Sequence, residues 1–325
     1  MPVLLPGDVH FDQTLTNLAI AYVQNQQNFV AARVFTSAPV TKQSDRYWIF
    51  NRAEMNRAEM QLRAPGTESA GVIRTLSSDT YFANIRALHE DIADPTRANT
   101  DPGINLDAQA TEYLMFQGLL TREVHFSSTF MASGVWTNEY GGVAASPGGG
   151  SLLQWNDANS TPIEDVRARS TEMQLDSGGF RPNKLVLGQQ VEDALVNHPD
   201  FVERVKYSGS NAAPAIVNRA AMAALFGVEE VLVMAGVKNT ANQGATEVNA
   251  FIGGKDALLL YAPNTANFAM ATAGVVFNWT GYLGGSPDGT RISSFRMEQL
   301  KSDRVEAEMA WDMKKTGADL GVFFN

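Results

Sequence analysis

The chain has four histidines, His10, His89, His125 and His198, and 35 acidic residues against 25 Lys and Arg. Metal sites and acid–base chemistry need such groups at set spacings, because the ligands must reach one point from one helix face or turn. None of the four histidines stands at a ligand spacing from another histidine or from a carboxylate pair. His125 falls in a long helical segment and reads as a packed or surface residue, and His198 before Pro199 reads as a helix stop. There is no Gly-x-Ser-x-Gly elbow to present a nucleophilic serine. The run Gly148-Gly149-Gly150 lacks the Lys-Ser/Thr that completes a phosphate loop, so it reads as a linker. Asp165, Glu172 and Asp176 share a helical stretch, and Glu229-Glu230 precedes a strand. A hydrolase using two carboxylates stays open as an alternative, although no pair stands out. Cysteine is absent, which excludes disulfides, thiolate metal sites and thiol nucleophiles. The expectation is therefore no catalytic, cofactor-binding or metal-ligating residue, and a structural role.

With 325 residues, 44% of them hydrophobic and 18% charged, the chain can bury a substantial core. A net charge of −10 argues against a dedicated nucleic-acid binder, though an acidic protein can face DNA without gripping it. No apolar run approaches the roughly 18 residues of a membrane span. The N-terminal residues lack the charged-then-apolar pattern of a signal peptide.

The element that must position the rest runs from Asn105 to Met131 and reads as one helix. Tyr113, Leu114, Leu120 and Val124 recur as one helical face. Asn105 or Asp107 supplies the N-terminal cap, and Arg122 suits the negative C-terminal end. Gly118 in mid-helix predicts a close backbone neighbour. The segment is either a core helix of an α/β domain or a spine on which a flat subunit is built.

Residues 1 to 40 are poor in charge and need a surface to lie on; Leu15, Leu18, Ala19 and Tyr22 hint at a short helix. Residues 41–80 read as a long hairpin, with Tyr47-Trp48-Ile49-Phe50 outbound and Val72 to Leu76 returning. Between them stand the repeat RAEMNRAEM, with an expected Glu54–Arg57 pair, and the turn-forming Pro65-Gly66. A connection of this length inside a compact domain is unusual, and aromatic residues at its base predict an ordered, projecting arm.

From Thr161 the texture becomes helix–strand alternation. Thr161-Pro162-Ile163-Glu164 is a capping box with Pro at the first helical position. Ile163, Val166 and Met173 face inward, and Gly227 stops an Ala-rich helix. Residues 133–268 form the expected α/β domain. Gly274 to Tyr282, Ile292 to Glu298 and Val305 to Asp312 read as strands that pair with earlier parts of the chain.

Four stretches in this order resemble one branch of a known family: RAPGTESAGV with LSSDTY (63–72 and 76–81), LDAQATEYLMFQGLLTREVHFSSTFM (106–131) followed by Gly134-Val135-Trp136, NRAAMAALFGVEEVLVMAG (218–236), and DRVEAEMAWDMKKTGADLGVFF (303–324). The chain resembles the major capsid proteins of tailed bacteriophages, whose Hong Kong 97-like fold also builds encapsulin compartments. The fold class expected is α+β. The resemblance implies residues 1–40 as N-terminal arm, 41–80 as extended loop, 81–132 with 269–325 as peripheral domain around a spine helix, and 133–268 as axial domain. It implies assembly contacts along the extended loop through Tyr47, Trp48, Phe50, Arg52, Arg57, Arg63, Pro65 and Gly66. The function implied is self-assembly as hexamers and pentamers into an icosahedral shell around double-stranded DNA, in the host bacterial cytoplasm. An encapsulin-type compartment is the alternative. A separate scaffolding protein, or a short removed leader, follows from the lack of a long helical N-terminal extension. A portal and a decoration protein complete the implied partners. Lys42 is the one lysine before residue 184, so covalent cross-linking through a loop lysine is not expected.

Overall fold

The computed structural model describes residues 24–50, 52–100, 104–206, 217–265, 271–283 and 289–325. His10, the helix expected around Leu15–Tyr22, and Pro102 lie outside them. The first half of the chain contains α1 (Ala31–Val34), β1 (Thr36–Val40), β2 (Ser44–Phe50), α2 (Arg52–Met55), β3 (Leu76–Phe82), β4 (Asn84–Ala93), α3 (Asp94–Ala98), α4 (Leu106–Phe130), β5 (Asn138–Val143) and β6 (Ser151–Leu153). Next come α5 (Pro162–Asp176), β7 (Lys184–Gly188), α6 (Gln189–Val196), α7 (Pro199–Lys206), α8 (Arg219–Phe226), β8 (Glu230–Met234), β9 (Val237–Asn239), β10 (Asn249–Phe251) and β11 (Ala257–Leu260). The last are β12 (Gly274–Trp279), α9 (Thr280–Leu283), β13 (Thr290–Met297), β14 (Ser302–Lys315) and β15 (Gly321–Phe324). The mixture is α+β, as expected.

The helix α4 runs 25 residues, roughly 38 Å at 1.5 Å per residue. Asn105 caps it, its side chain accepting the amide hydrogen of Ala108 (3.1 Å). Asp107, the alternative cap, instead takes both arms of Arg97 at 2.8 Å. The inward row steps by four: Ala110, Leu114, Gly118, Arg122, Phe126 and Phe130. Tyr113, expected on this face, is half exposed. Arg122, expected to serve the helix end, is buried with its guanidinium 5.5 Å from the Trp311 ring. The close neighbour of Gly118 is a side chain rather than backbone: a Cβ there would overlap Met309 Cε and Sδ on β14.

Beneath α4 lies a five-stranded sheet ordered β1-β12-β14-β13, with β4 also paired to β14. The 14 residues of β14 bury Val305, Ala307, Met309, Trp311 and Met313, the period-2 face of a strand covered on one side. The second, central sheet is six-stranded, β6-β5-β15-β11-β7-β8. Its middle strands β15, β11 and β7 are buried throughout, and their near-continuous apolar sequence suits a strand covered on both faces. The tail strands β12, β13 and β14 lie where the sequence places strands, whereas residues 321–324 leave the long-strand sheet and join the central one.

Around the central sheet, Ile163, Val166 and Met173 of α5 are fully buried. Thr161 makes no side-chain cap bond, and Glu164 pairs with Arg204 of α7, so the expected capping box does not form; Pro162 alone marks the start. Asn218 caps α8 through the Ala221 amide, and Gly227 closes it at φ 76°, a left-handed conformation that favours glycine.

Candidate interaction surface

Two antiparallel strands, β2 and β3, leave the body in register Ser44↔Phe82 to Phe50↔Leu76. The expected return at Val72 comes later, because the ladder begins at Leu76. Only the first copy of the RAEM repeat is helical, as α2. Glu54 accepts from the Thr75 amide and hydroxyl (both 2.6 Å), so it ties the two limbs where strand pairing ends. Arg57 pairs with Glu59 (3.4 Å). At the tip, the Thr67 amide bonds to the Ala64 carbonyl across Pro65-Gly66 (3.2 Å). Gly66 has φ 82°, the value that the third position of a type II turn requires, and Pro65 presets the second. Arg63 donates to the Thr67 carbonyl and stiffens the same turn.

The base is held by stacked aromatics. Tyr81 is buried and stacks on Phe277 of β12 (centroids 4.3 Å, 12° between planes). Tyr47 reaches the same ring at 5.4 Å and donates its hydroxyl to Asp79 (2.9 Å). Burial first, then the bond to Asp79, pushes the Tyr47 phenol above its ordinary value. Asp312 of β14 accepts the Phe82 amide (3.0 Å). Asn56 touches the far body through the Gly178 carbonyl (3.2 Å). Of the expected aromatic anchors, Tyr47 packs against its own body, whereas Trp48 is 58% exposed on the opposite face of β2. The side chains of Phe50 and Arg52 lie outside those described. Tyr81, Phe277 and Asp312 were not signalled as anchors by the sequence; the alternation Tyr81-Phe82 facing Tyr47-Trp48 was the only available hint.

Outside its base the hairpin is exposed. Every residue from Met60 to Thr80 is exposed, including the apolar Met60, Leu62, Val72, Ile73 and Leu76. Met60 and Leu62 are fully exposed and Ile73 is 88% so. A monomer gains nothing by holding such side chains in water, and clustered exposed apolar groups mark contact surfaces.

The groups that could do chemistry are occupied elsewhere. Asp165 accepts from Trp155 Nε1 (3.2 Å), Asp176 from Asn138 (3.0 Å), and Glu230 pairs with Arg33. Glu172 accepts from the Tyr140 hydroxyl (2.7 Å) and Arg169 (2.6 Å). Burial pushes the Glu172 carboxyl up, but the bonds from Tyr140 and Arg169 outweigh it, and its pKa is lowered. His125 meets the Trp311 ring edge-on at 5.0 Å, and His89 stands on β4 opposite Glu306. The fold does join two residues that the sequence kept 38 apart: Ser160 Oγ lies 3.0 Å from His198 Nε2. His198 Nδ1 accepts the Asp200 amide (3.2 Å), so the network puts the ring proton on Nε2. Ser160 donates to the Asp157 carbonyl (2.8 Å), and that carbonyl also lies 2.9 Å from Nε2. An imidazole protonated on Nε2 cannot take the serine proton, so this buried pair locks a loop and activates no nucleophile. Among the described residues, no three His, Asp or Glu side chains gather as a metal site, and no helix is long and apolar enough to cross a membrane.

The family described as phage major capsid protein E matches residues 137–275, from β5 to the start of β12. A major capsid protein of Pseudomonas phage JBD67 is 26% identical over 313 residues, which cover 96% of each chain. Among solved structures, a phage-related protein from Bordetella bronchiseptica RB50 is similar at TM-score 0.68 and 19% identity, over 97% of this chain and 96% of that one. The capsid structure of cyanophage P-SCSP1u is similar at TM-score 0.63 and 10% identity, over 98% and 93%. At such identities the solved structures establish the fold, over nearly the whole chain. The chain is thus similar to that family over residues 137–275, to a phage major capsid protein over nearly its whole length, and to solved phage capsids in fold.

Proposed function

We propose that copies of this chain assemble as hexamers and pentamers into an icosahedral shell around double-stranded DNA, and that the β2–β3 hairpin is the arm that joins them. The observation that carries this reading is the hairpin itself: anchored at its base by Tyr47 and Tyr81 on Phe277, yet exposed from residue 60 to 80 with its apolar side chains in water. A projecting arm that lies on a neighbour makes a head-to-tail contact, and such contacts close into rings when the rotation permits. Obligate interfaces bury roughly 2,000 Å² or more, an area that a hairpin of this length can supply. Trp48, Phe50, Arg52, Arg57, Arg63, Pro65 and Gly66 are the proposed contact residues, with Tyr47 at the anchored end.

In this reading residues 1–40 act as the N-terminal arm, 41–80 as the extended loop, and 81–132 with 269–320 as the peripheral domain, α4 being its spine, while 321–324 join the central sheet. Residues 133–268 act as the axial domain, whose tips meet at the capsomer centres. The net charge of −10 suits a container that holds DNA without sequence-specific grip. A scaffolding protein, a portal and a decoration protein are the proposed partners, with assembly in the host cytoplasm, and no residue is proposed to be catalytic.

The test replaces Arg52 to Gly71 with a short Gly-Ser turn. The expected product is a soluble, folded subunit by circular dichroism that forms no shells in electron micrographs. Normal shells from the shortened chain would refute the arm. Nuclease treatment and mass spectrometry of wild-type particles check the contents: packaged DNA supports the phage shell, and an enclosed enzyme supports an encapsulin-type compartment.

A further inference from the structure

Residues 29–35, Phe-Val-Ala-Ala-Arg-Val-Phe, hold two ionisable side chains out of water. Glu123 of α4 is buried, and its carboxyl oxygen accepts the amide hydrogens of Val30 (3.0 Å) and Ala31 (2.7 Å). Lys184 of β7 is buried, and its ammonium donates to the carbonyls of Arg33 (2.6 Å) and Val34 (3.4 Å). One ionisable group comes from the long helix and the other from the central sheet, and they take opposite ends of the same segment. A buried polar or charged group stripped of its partners is costly to the fold. Neither residue can therefore stay where it is once the segment leaves.

The segment is also wedged by its aromatic ends. Phe29 meets Phe116 edge-on at 5.6 Å, and Phe35 sits against Phe126 (5.2 Å) and Phe130 (4.8 Å). Space for both rings is left by glycines: a Cβ at Gly236 would press Phe29 at 3.1 Å, and one at Gly274 would overlap Phe35 at 2.8 Å.

Around Glu123 the other charges point elsewhere. On α4, Arg122 and His125 lie against Trp311. Arg33 of the segment pairs with Glu230 of β8, and Lys184 lies with Glu229 and Glu230 at the segment's other end. Burial pushes the Glu123 carboxyl up to about 7, against the pull of the Ala31 and Val30 amides.

We propose that residues 29–35 are a proton-linked latch between α4 and the central sheet, docking as one unit and released as Glu123 gives up its proton. Docked, Glu123 binds its proton more tightly than the ordinary value of 4.5 allows; released into water it returns to that value. The latch is therefore tightest below the ordinary value and loosens as pH climbs through about 7.

Hydrogen exchange of the full-length protein, corrected for the intrinsic pH dependence, reads this directly. Between pH 5.5 and 8.5, opening of residues 29–35 should rise on the order of thirty-fold, while α5 keeps its protection. Glu123→Gln, which keeps an acceptor for the amides but has no proton to lose, should flatten the response. His125 titrates in both proteins, so the difference between them isolates Glu123. A flat wild-type response overturns the latch, as does an equal slope in the variant or a segment that opens only when α5 does. Should the variant fail to fold, the wild-type contrast between segment and α5 still decides.

Discussion

Residues 29–35 and the β2–β3 hairpin are both excursions from the sheets, and both are rich in aromatic and aliphatic side chains. The short segment puts Phe29, Val30, Ala31, Val34 and Phe35 into the core, and the buried Glu123 and Lys184 hold its backbone. The hairpin buries Tyr81 at its root and leaves Met60, Leu62 and Ile73 in water. Equal composition therefore serves opposite ends. One region completes the subunit; the other can recover its apolar surface only against something outside it. The root of the hairpin is where the two regimes meet, since Tyr47 and Tyr81 lean on Phe277 and Trp48 does not.

The contrast breaks first at Phe35. Phe35→Ala should cost the subunit about 3–5 kcal/mol in urea unfolding, the usual range for emptying a core aromatic site. A loss under about 1 kcal/mol would mean that the segment merely rests on the core. Tyr81→Ala should cost less, about 2–3 kcal/mol, because the hairpin can swing away and refill part of the space. Its signature would be a loosened hairpin by hydrogen exchange with the central sheet still protected; loosening of β11 and β7 together with it would show that root and core are one unit. At the other extreme, Met60→Ser with Leu62→Ser should leave subunit stability within about 0.5 kcal/mol of wild type. The same pair should lower the yield of closed shells in micrographs. An unchanged yield would move the assembly contact away from this part of the hairpin.

Much of this architecture was legible as pattern. The long helix announced itself by length and by the Asn105 cap, the central strands by their unbroken apolar runs, and the hairpin by aromatic strands flanking Pro65-Gly66. Sequence failed where charge disguised burial. Arg122 and Glu123 carry the look of a solvent face, yet one packs over Trp311 and the other takes the Val30 and Ala31 amides. Their partners lie 189 and 93 positions away, beyond any local period. Trp48 is set apart from its neighbours by alternation: if Tyr47 and Ile49 face the body, Trp48 faces away. The Ser160–His198 pair was invisible for the same reason as Glu123, and only its tautomer, fixed by the Asp200 amide, separates it from a catalytic pair.

The seat of β15 sets the order in which the subunit can be finished. Residues 321–324 lie between β5 and β11, antiparallel to one and parallel to the other. Until Phe324 has left the ribosome the central sheet is in two pieces, β6-β5 and β11-β7-β8, each with an open edge. Open apolar edges are the surfaces on which chains pair wrongly. The central sheet therefore closes only after every other strand in it has been made. Both strands of the hairpin precede all of these in the chain, so the projecting element is made before the sheet of the body that carries it can close.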